Sequence, residues 1–133
     1  MDKVKDKVKY FINPPLIQIS ARMSVFEACK RMEKHNIGAI LVNEGKNFVG
    51  IFTEADLLRK VVAKNESPGS TPVIKVMTKG LHYVDSEASM VGAFLMMQTK
   101  NIRHLIVKED KIITGVLSIK DIAKYYVQKF STA

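Results

Sequence analysis

NIGAILVNEGKNFVGIFTEAD, residues 36–56, returns as NIRHLIVKEDKIITGVLSIKD at 101–121, and reading one against the other decides the fold. Carried outward at the same offset of 65, the match runs without a gap from Val8/Val73 to Val62/Val127, with 13 identities in 55 positions. Identical pairs include Leu16/Leu81, Ser24/Ser89, Ala28/Ala93, Met32/Met97, Asn36/Asn101, Ile37/Ile102, Val42/Val107, Gly50/Gly115 and Asp56/Asp121. Many of the remaining pairs exchange one apolar residue for another, as in Ile51/Val116 and Leu57/Ile122. A unit written twice predicts a pseudo-twofold body, in which a site on one copy recurs on the other unless substitutions have removed it.

Within the first copy, IGAILV (37–42) is apolar and short enough for a buried strand, NEGKN (43–47) supplies turn residues, and FVGIF (48–52) closes a hairpin. Thr53 then caps a helix over EADLLRKVVAK. Upstream, the short strand LIQIS (16–20) precedes Ser24, an N-cap with Glu27 as capping-box partner, and a helix with Val25, Ala28, Cys29 and Met32 on one face. The second copy repeats this order: strand LHYV, helix from Ser89, strand IRHLIV, turn KEDK, strand IITGVL, helix from Ser118. Each unit reads β, α, β, β, α. Val4, Val8 and Phe11 among Lys3, Lys5, Lys7 and Lys9 predict a short amphipathic lead-in helix ending before Pro14 and Pro15, with a counterpart at Val73 to Met77. The repeats are therefore set at about 8–63 and 73–130, joined by a linker at 64–72 that carries Pro68, Gly69 and Pro72.

A chain of 133 residues fits one compact body that buries roughly two thirds of its unfolded surface, enough for a core without disulfides. Cys29 is the single cysteine and lies on the apolar helix face, so it reads as core and not as a reactive thiol. The seven methionines, with Met90, Met96 and Met97 close together, read as packing. Tyr125, Tyr126 and Phe130 on the last helix are expected to be exposed and to meet a second copy in a homodimer. The net charge of +8 invites nucleic acid, but the basic residues are interspersed with acids, as in Glu27, Lys30, Arg31, Glu33 and Lys34, which reads as a solvated surface. No apolar run approaches the roughly 20 residues of a membrane span, and MDKVKDKVKYF lacks a signal peptide's apolar core, so a cytoplasmic protein is expected. His35 and His82 have no matching His and no acid or Cys at metal spacing, so no metal site is expected.

The tandem βαββα order, the phrase NIRHLIV at 101–107, the ending Gly-apolar-apolar-Thr/Ser-x-x-Asp in both copies and the lead-in Val73-Ile-Lys-Val-Met77-Thr78 together resemble a cystathionine-β-synthase (CBS) domain pair. The resemblance runs from about Val8 to Val127. It implies an α+β fold, mixed α/β, in which the two repeats pack through their sheets with pseudo-twofold symmetry and two modules pair through their helices. It also implies a regulatory part, not an enzyme. Such modules sense AMP, ADP, ATP or S-adenosylmethionine in clefts between the repeats, and require no cofactor.

The residues of GIFTEAD (50–56) and GVLSIKD (115–121) can support that chemistry. The hydroxyls of Thr53 and Ser118 sit where a strand turns into a helix, and free N–H groups with the positive helix end make an anion site. Three residues on, Asp56 or Asp121 offers a carboxylate able to accept two ribose hydroxyls. Gly50 and Gly115 admit close approach of another backbone or a flat base. Ser or Thr followed three residues later by an acid is equally a plain capping pattern that needs no ligand. By the resemblance, Thr53 and Ser118 take phosphate, and Asp56 and Asp121 take ribose. Arg103 and His104 stand where the first copy has Gly38 and Ala39, and the resemblance gives basic side chains there a hold on phosphate. Asn13, and Thr78 with Lys79, precede the first strand of each copy, where the resemblance places contacts to base or phosphate. Two unequal sites are predicted: the Ser118, Asp121, Arg103 and His104 site favours a phosphorylated ligand, and the Thr53 and Asp56 site a less charged nucleoside or nothing.

The leading expectation is a ligand-sensing module that signals to a partner protein. The alternatives are a nucleic-acid-binding protein using its basic surface, marked by steep salt dependence, and a scaffold whose homodimer is its function. No Ser-His-Asp or Cys-His set, Walker loop or dinucleotide fingerprint points to an enzyme.

Overall fold

The computed structural model describes residues 6–12 and 15–131. The chain forms two compact units, one of Ile17–Leu81 and the other of residues up to Leu16 together with those from His82 onward. The first unit holds β1 (Gln18–Ser20), α1 (Val25–His35), β2 (Ala39–Glu44), β3 (Asn47–Thr53) and α2 (Glu54–Asp56). Its sheet runs β1-β2-β3, with β1 parallel to β2 and β2 antiparallel to β3. The second unit repeats this with β4 (Tyr83–Asp85), α3 (Met90–Lys100), β5 (His104–Glu109), β6 (Ile112–Ser118) and α4 (Ile119–Phe130), sheet order β4-β5-β6. A parallel neighbour needs a crossover, which α1 and α3 provide, and an antiparallel one needs only the short turns after β2 and β5.

The local signals act where expected. Ser24 and Ser89 Oγ accept the N–H of Glu27 and Gly92, although the reciprocal boxes form at Thr53/Asp56 and Ser118/Asp121 and not at Ser24/Glu27. The Asn36/Asn101 identity has a conformational cause: both close a helix in the left-handed region, at φ 52° and 53°. The following Ile37 and Ile102 N–H groups return to Met32 and Met97 O, a Schellman closure.

Each lead-in packs on the other copy of the repeat. The turn Val73–Lys75 donates from Val73 N to Met23 O and from Ile74 N to Ala21 O, at 2.8 and 3.1 Å. The turn Val8–Tyr10 makes the in-register bonds, Val8 N to Ala88 O and Lys9 N to Ser86 O, at 2.9 and 3.0 Å. Val73, Val76 and Met77 thus join the core of Ile19, Val25, Met32, Ile40, Phe52 and Val61, while Val8 joins Met90, Met97, Leu105, Leu117 and Ile122. The sequence copies are contiguous, but each compact unit takes its lead-in from the opposite one.

Three expectations are corrected. The amphipathic lead-in helix is one 3-10 turn, Val8–Tyr10, because a single buried valine anchors it; Lys3, Val4 and Lys5 lie outside the described residues. The helix expected over Glu54 to Lys64 is α only at Glu54–Asp56 and continues as a π-helix over Leu57–Val62. There Val61 faces the core and Lys60 is drawn back to Asp56, whereas the regular α4 buries Ile122 and Tyr125. Tyr125 is accordingly not exposed: at 2% exposure it belongs to the core, edge-on to Phe11 with ring centroids 5.0 Å apart. Cys29 is half-buried against its unit's core, and that burial pushes its thiol pKa up. Among the described residues no helix is long and apolar enough to cross a membrane.

Candidate functional site

In the Ile17–Leu81 unit the candidate residues converge on Asp56. β3 ends at Thr53, whose backbone turns from extended to helical, so the Thr53 side chain and the Asp56 carboxylate cap each other across one turn. Asp56 Oδ2 accepts from Thr53 N at 3.0 Å and Thr53 Oγ1 at 3.1 Å. Thr78, 22 residues away in sequence, donates its hydroxyl to Oδ1 and Oδ2 at 2.8 and 3.0 Å. Lys60 Nζ lies 2.8 Å from Oδ1. Asp56 is 4% exposed, a burial tolerated because its carboxylate is met by donors on both oxygens.

Thr78 reaches Asp56 because its backbone pairs with β3 at Ile51, N to O in both directions at 2.9 and 2.8 Å. That crossing is what Gly50 serves. A Cβ built there would stand 2.5 Å from Met77 Sδ and 2.8 Å from the Thr78 carbonyl, so the glycine admits the lead-in backbone and not a ligand base. At Gly38 a Cβ would meet the carboxylate of the exposed Glu54, a flexible side chain that can move aside, so no backbone crossing demands glycine there. Ala39 is buried and pairs with Thr53. Lys79 follows Thr78 and is exposed.

The second unit builds the same corner with other neighbours. Asp121 Oδ2 accepts from Ser118 N at 2.8 Å and Ser118 Oγ at 2.9 Å, and no donor among the described residues engages Oδ1. The residue is half-buried. His104, half-buried, is the β-register partner of Ser118, and the Arg103 carbonyl accepts from Ile119 N at 2.9 Å. Arg103, His104, Ser118 and Asp121 are therefore brought to one end of the β5-β6 hairpin, with the Arg103 side chain exposed. Asn13, the in-register counterpart of Thr78, lies outside the described residues. Over Gly115 crosses Ile12, whose side chain would stand 3.0 and 3.3 Å from a Cβ.

Sequence reasoning missed Lys60, Glu54 and the joining of Thr78 to the first copy's Asp56. The i,i+4 spacing of Asp56 and Lys60 was the readable signal. His35 and His82 are exposed, and among the described residues no three His, Cys, Asp or Glu side chains gather as a metal-binding group.

Comparison with known proteins matches the CBS domain model at residues 4–63 and 73–128. A mitochondrial CBS domain-containing protein of Arabidopsis thaliana is 36% identical over 111 residues, 80% of this chain and 54% of that protein. An uncharacterized 17.7 kDa protein of Acidianus ambivalens is 32% identical over 120 residues, 89% of this chain and 71% of the other. The chain thus spans about half the length of the Arabidopsis relative. The solved structure of a putative signal-transduction protein with CBS domains from Burkholderia ambifaria superposes with a TM-score of 0.85 at 30% identity, covering 98% of this chain and 94% of that one. A CBS domain pair solved with 5'-methylthioadenosine and S-adenosyl-L-methionine superposes with a TM-score of 0.82 at 26% identity, covering 92% and 97%.

Proposed function

The chain belongs to the CBS domain family, and from that premise we propose that it is a regulatory module that binds an adenosine-containing molecule and passes its occupancy to a partner protein. One observation carries the reading: at the β6–α4 corner, Ser118 and Asp121 complete their capping box through Oδ2, and no donor among the described residues engages Oδ1 of this half-buried carboxylate. A ribose diol presents two O–H donors, and one carboxylate oxygen has two lone pairs to receive them. Beside it the exposed Arg103 supplies donors suited to a phosphate or carboxylate on the same ligand. The CBS domain pair solved with two adenosine derivatives supports the adenosine class. Signalling then requires that the ligand bind one arrangement of the module, or of module and partner, more tightly than another.

We assign the exposed apolar residues of α3 and α4 to a second copy of the chain. Val91, Leu95, Val127 and Phe130 are 44–69% exposed, and Phe130 stacks on Tyr126 with ring centroids 5.9 Å apart. The function is tested by calorimetric titration of nucleotide-stripped protein with AMP, ATP and S-adenosylmethionine, alongside Asp121→Ala. Saturable heat lost in Asp121→Ala is the expected result, and no heat with any of the three overturns the reading.

A further inference from the structure

Resting on the adenosine reading, we propose that Lys60, with Thr78, occupies the Asp56 carboxylate as a built-in ligand, so that each chain takes one adenosine-containing molecule, at Asp121. A carboxylate offers about four lone-pair directions. Asp56 fills them from within: Thr53 N and Oγ1 on Oδ2, Thr78 Oγ1 across both oxygens, and Lys60 Nζ on Oδ1. A ribose diol arriving there finds no acceptor until Lys60 leaves. Lys60 is held one turn along the same helical segment, which keeps its ammonium at high effective concentration beside Asp56. The side chain is 43% exposed, so it can swing into water; the lock is reversible, and Lys60 sets its strength.

Among the described residues the register copy lacks this device. Tyr125 stands where the first copy has Lys60; its ring is in the core, and its hydroxyl meets Lys129 at 3.0 Å. Among the described residues no ammonium is placed on Asp121. A second substitution points the same way. Glu54 has its carboxylate against Gly38, whereas the copy has Ile119 and Arg103 at those places. A negative group in the first unit replaces a positive one in the second, so anionic ligands are disfavoured at Asp56 even when Lys60 has moved.

The test is the binding stoichiometry of 5'-methylthioadenosine, a neutral probe, and of AMP on wild type, Lys60→Met, Lys60→Arg and Lys60→Met/Asp56→Asn, each checked for folding by circular dichroism. Wild type and Lys60→Arg should take one 5'-methylthioadenosine per chain and Lys60→Met two, the extra site vanishing in the double variant and refusing AMP. Because a hydrogen bond to a charged group contributes more than the factor of ten that 1.4 kcal/mol represents, affinity at Asp56 should rise about tenfold or more without Lys60. One site in Lys60→Met, or two in wild type, overturns the inference while leaving the adenosine reading intact. Absence of binding in all four proteins overturns the reading itself.

Discussion

Replacing Gly50 by alanine should destabilise the protein far more than the in-register Gly115→Ala, and the difference can be worked out from what each Cβ meets. At Gly50 the new carbon would stand 2.8 Å from the Thr78 carbonyl oxygen and 2.5 Å from Met77 Sδ. The sulfur can give way, but the carbonyl cannot move without breaking the paired bonds between Ile51 and Thr78, at 2.9 and 2.8 Å. Overpacking costs about 2 kcal/mol, and two strained backbone bonds add about 2 kcal/mol. Alanine recovers about 0.5–1 kcal/mol over glycine in a strand, leaving a net loss near 3 kcal/mol by this sum. At Gly115 the neighbour is the side chain of Ile12, at 3.0 Å and beyond, which can turn aside. There the loss should be about 1 kcal/mol or less. Urea unfolding followed by circular dichroism measures both. Equal stabilities, or a larger loss at Gly115, would refute the claim that Gly50 exists to let the lead-in backbone cross β3. Hydrogen exchange gives an independent reading, since the Ile51 and Thr78 amides should lose protection in Gly50→Ala only.

Three further outcomes are expected. Ser86 Oγ is buried and has no hydrogen-bond partner among the described residues, and its register counterpart is the fully buried Ala21; Ser86→Ala should therefore raise the unfolding free energy by about 1 kcal/mol, measured in urea. The lead-in is tied to its unit by charge. The Tyr125 hydroxyl, then Lys129, holds the Asp6 carboxyl below its usual pKa; Lys9, then Lys7, does the same for Glu87; and the Lys129 and Lys9 ammonium groups are pushed up, Lys129 by Tyr125 and then Asp6, Lys9 by Glu87. A lowered carboxyl stabilises above its ordinary pKa and releases as pH falls through the folded one. A raised ammonium stabilises below its ordinary pKa and releases as pH climbs through the folded one. Exchange protection factors of the Val8 and Lys9 amides should thus be highest between roughly pH 5 and 10, fall on either side, and weaken with salt. Finally, if the proposed homodimer forms, Phe130→Asp should halve its sedimentation mass without altering the circular dichroism spectrum, and an unchanged mass would remove α4 from the interface.

What could be read from the chain, and what could not, divides by the range of the interaction. Asn36 with Ile37, and Asn101 with Ile102, announce helix ends because their closure involves residues at most five positions away. The Thr53/Asp56 and Ser118/Asp121 boxes were visible for the same reason. The exchange of lead-ins was not, because Val8 and Val73 are the same residue entering two cores of like shape. Periodicity cannot say which copy receives which valine. Tyr125 was expected with Tyr126 and Phe130 on an exposed face that meets a second copy, because nothing local in the sequence separates a ring that enters the core from one that meets a partner. The core accepted a ring there only because Phe11 supplies an edge-on partner from the chain's other end. Lys60 was the converse case. An Asp and a Lys four apart on a helix usually form a solvated pair contributing about half a kcal/mol or less. What changes its meaning is the near-complete burial of Asp56, and that burial depends on Thr78, which arrives from 22 residues away. On the proposed assignment, two corners alike in sequence differ because Lys60 and Thr78 meet Asp56 while no described donor meets Oδ1 of Asp121, through neighbours that the repeat alignment treats as incidental.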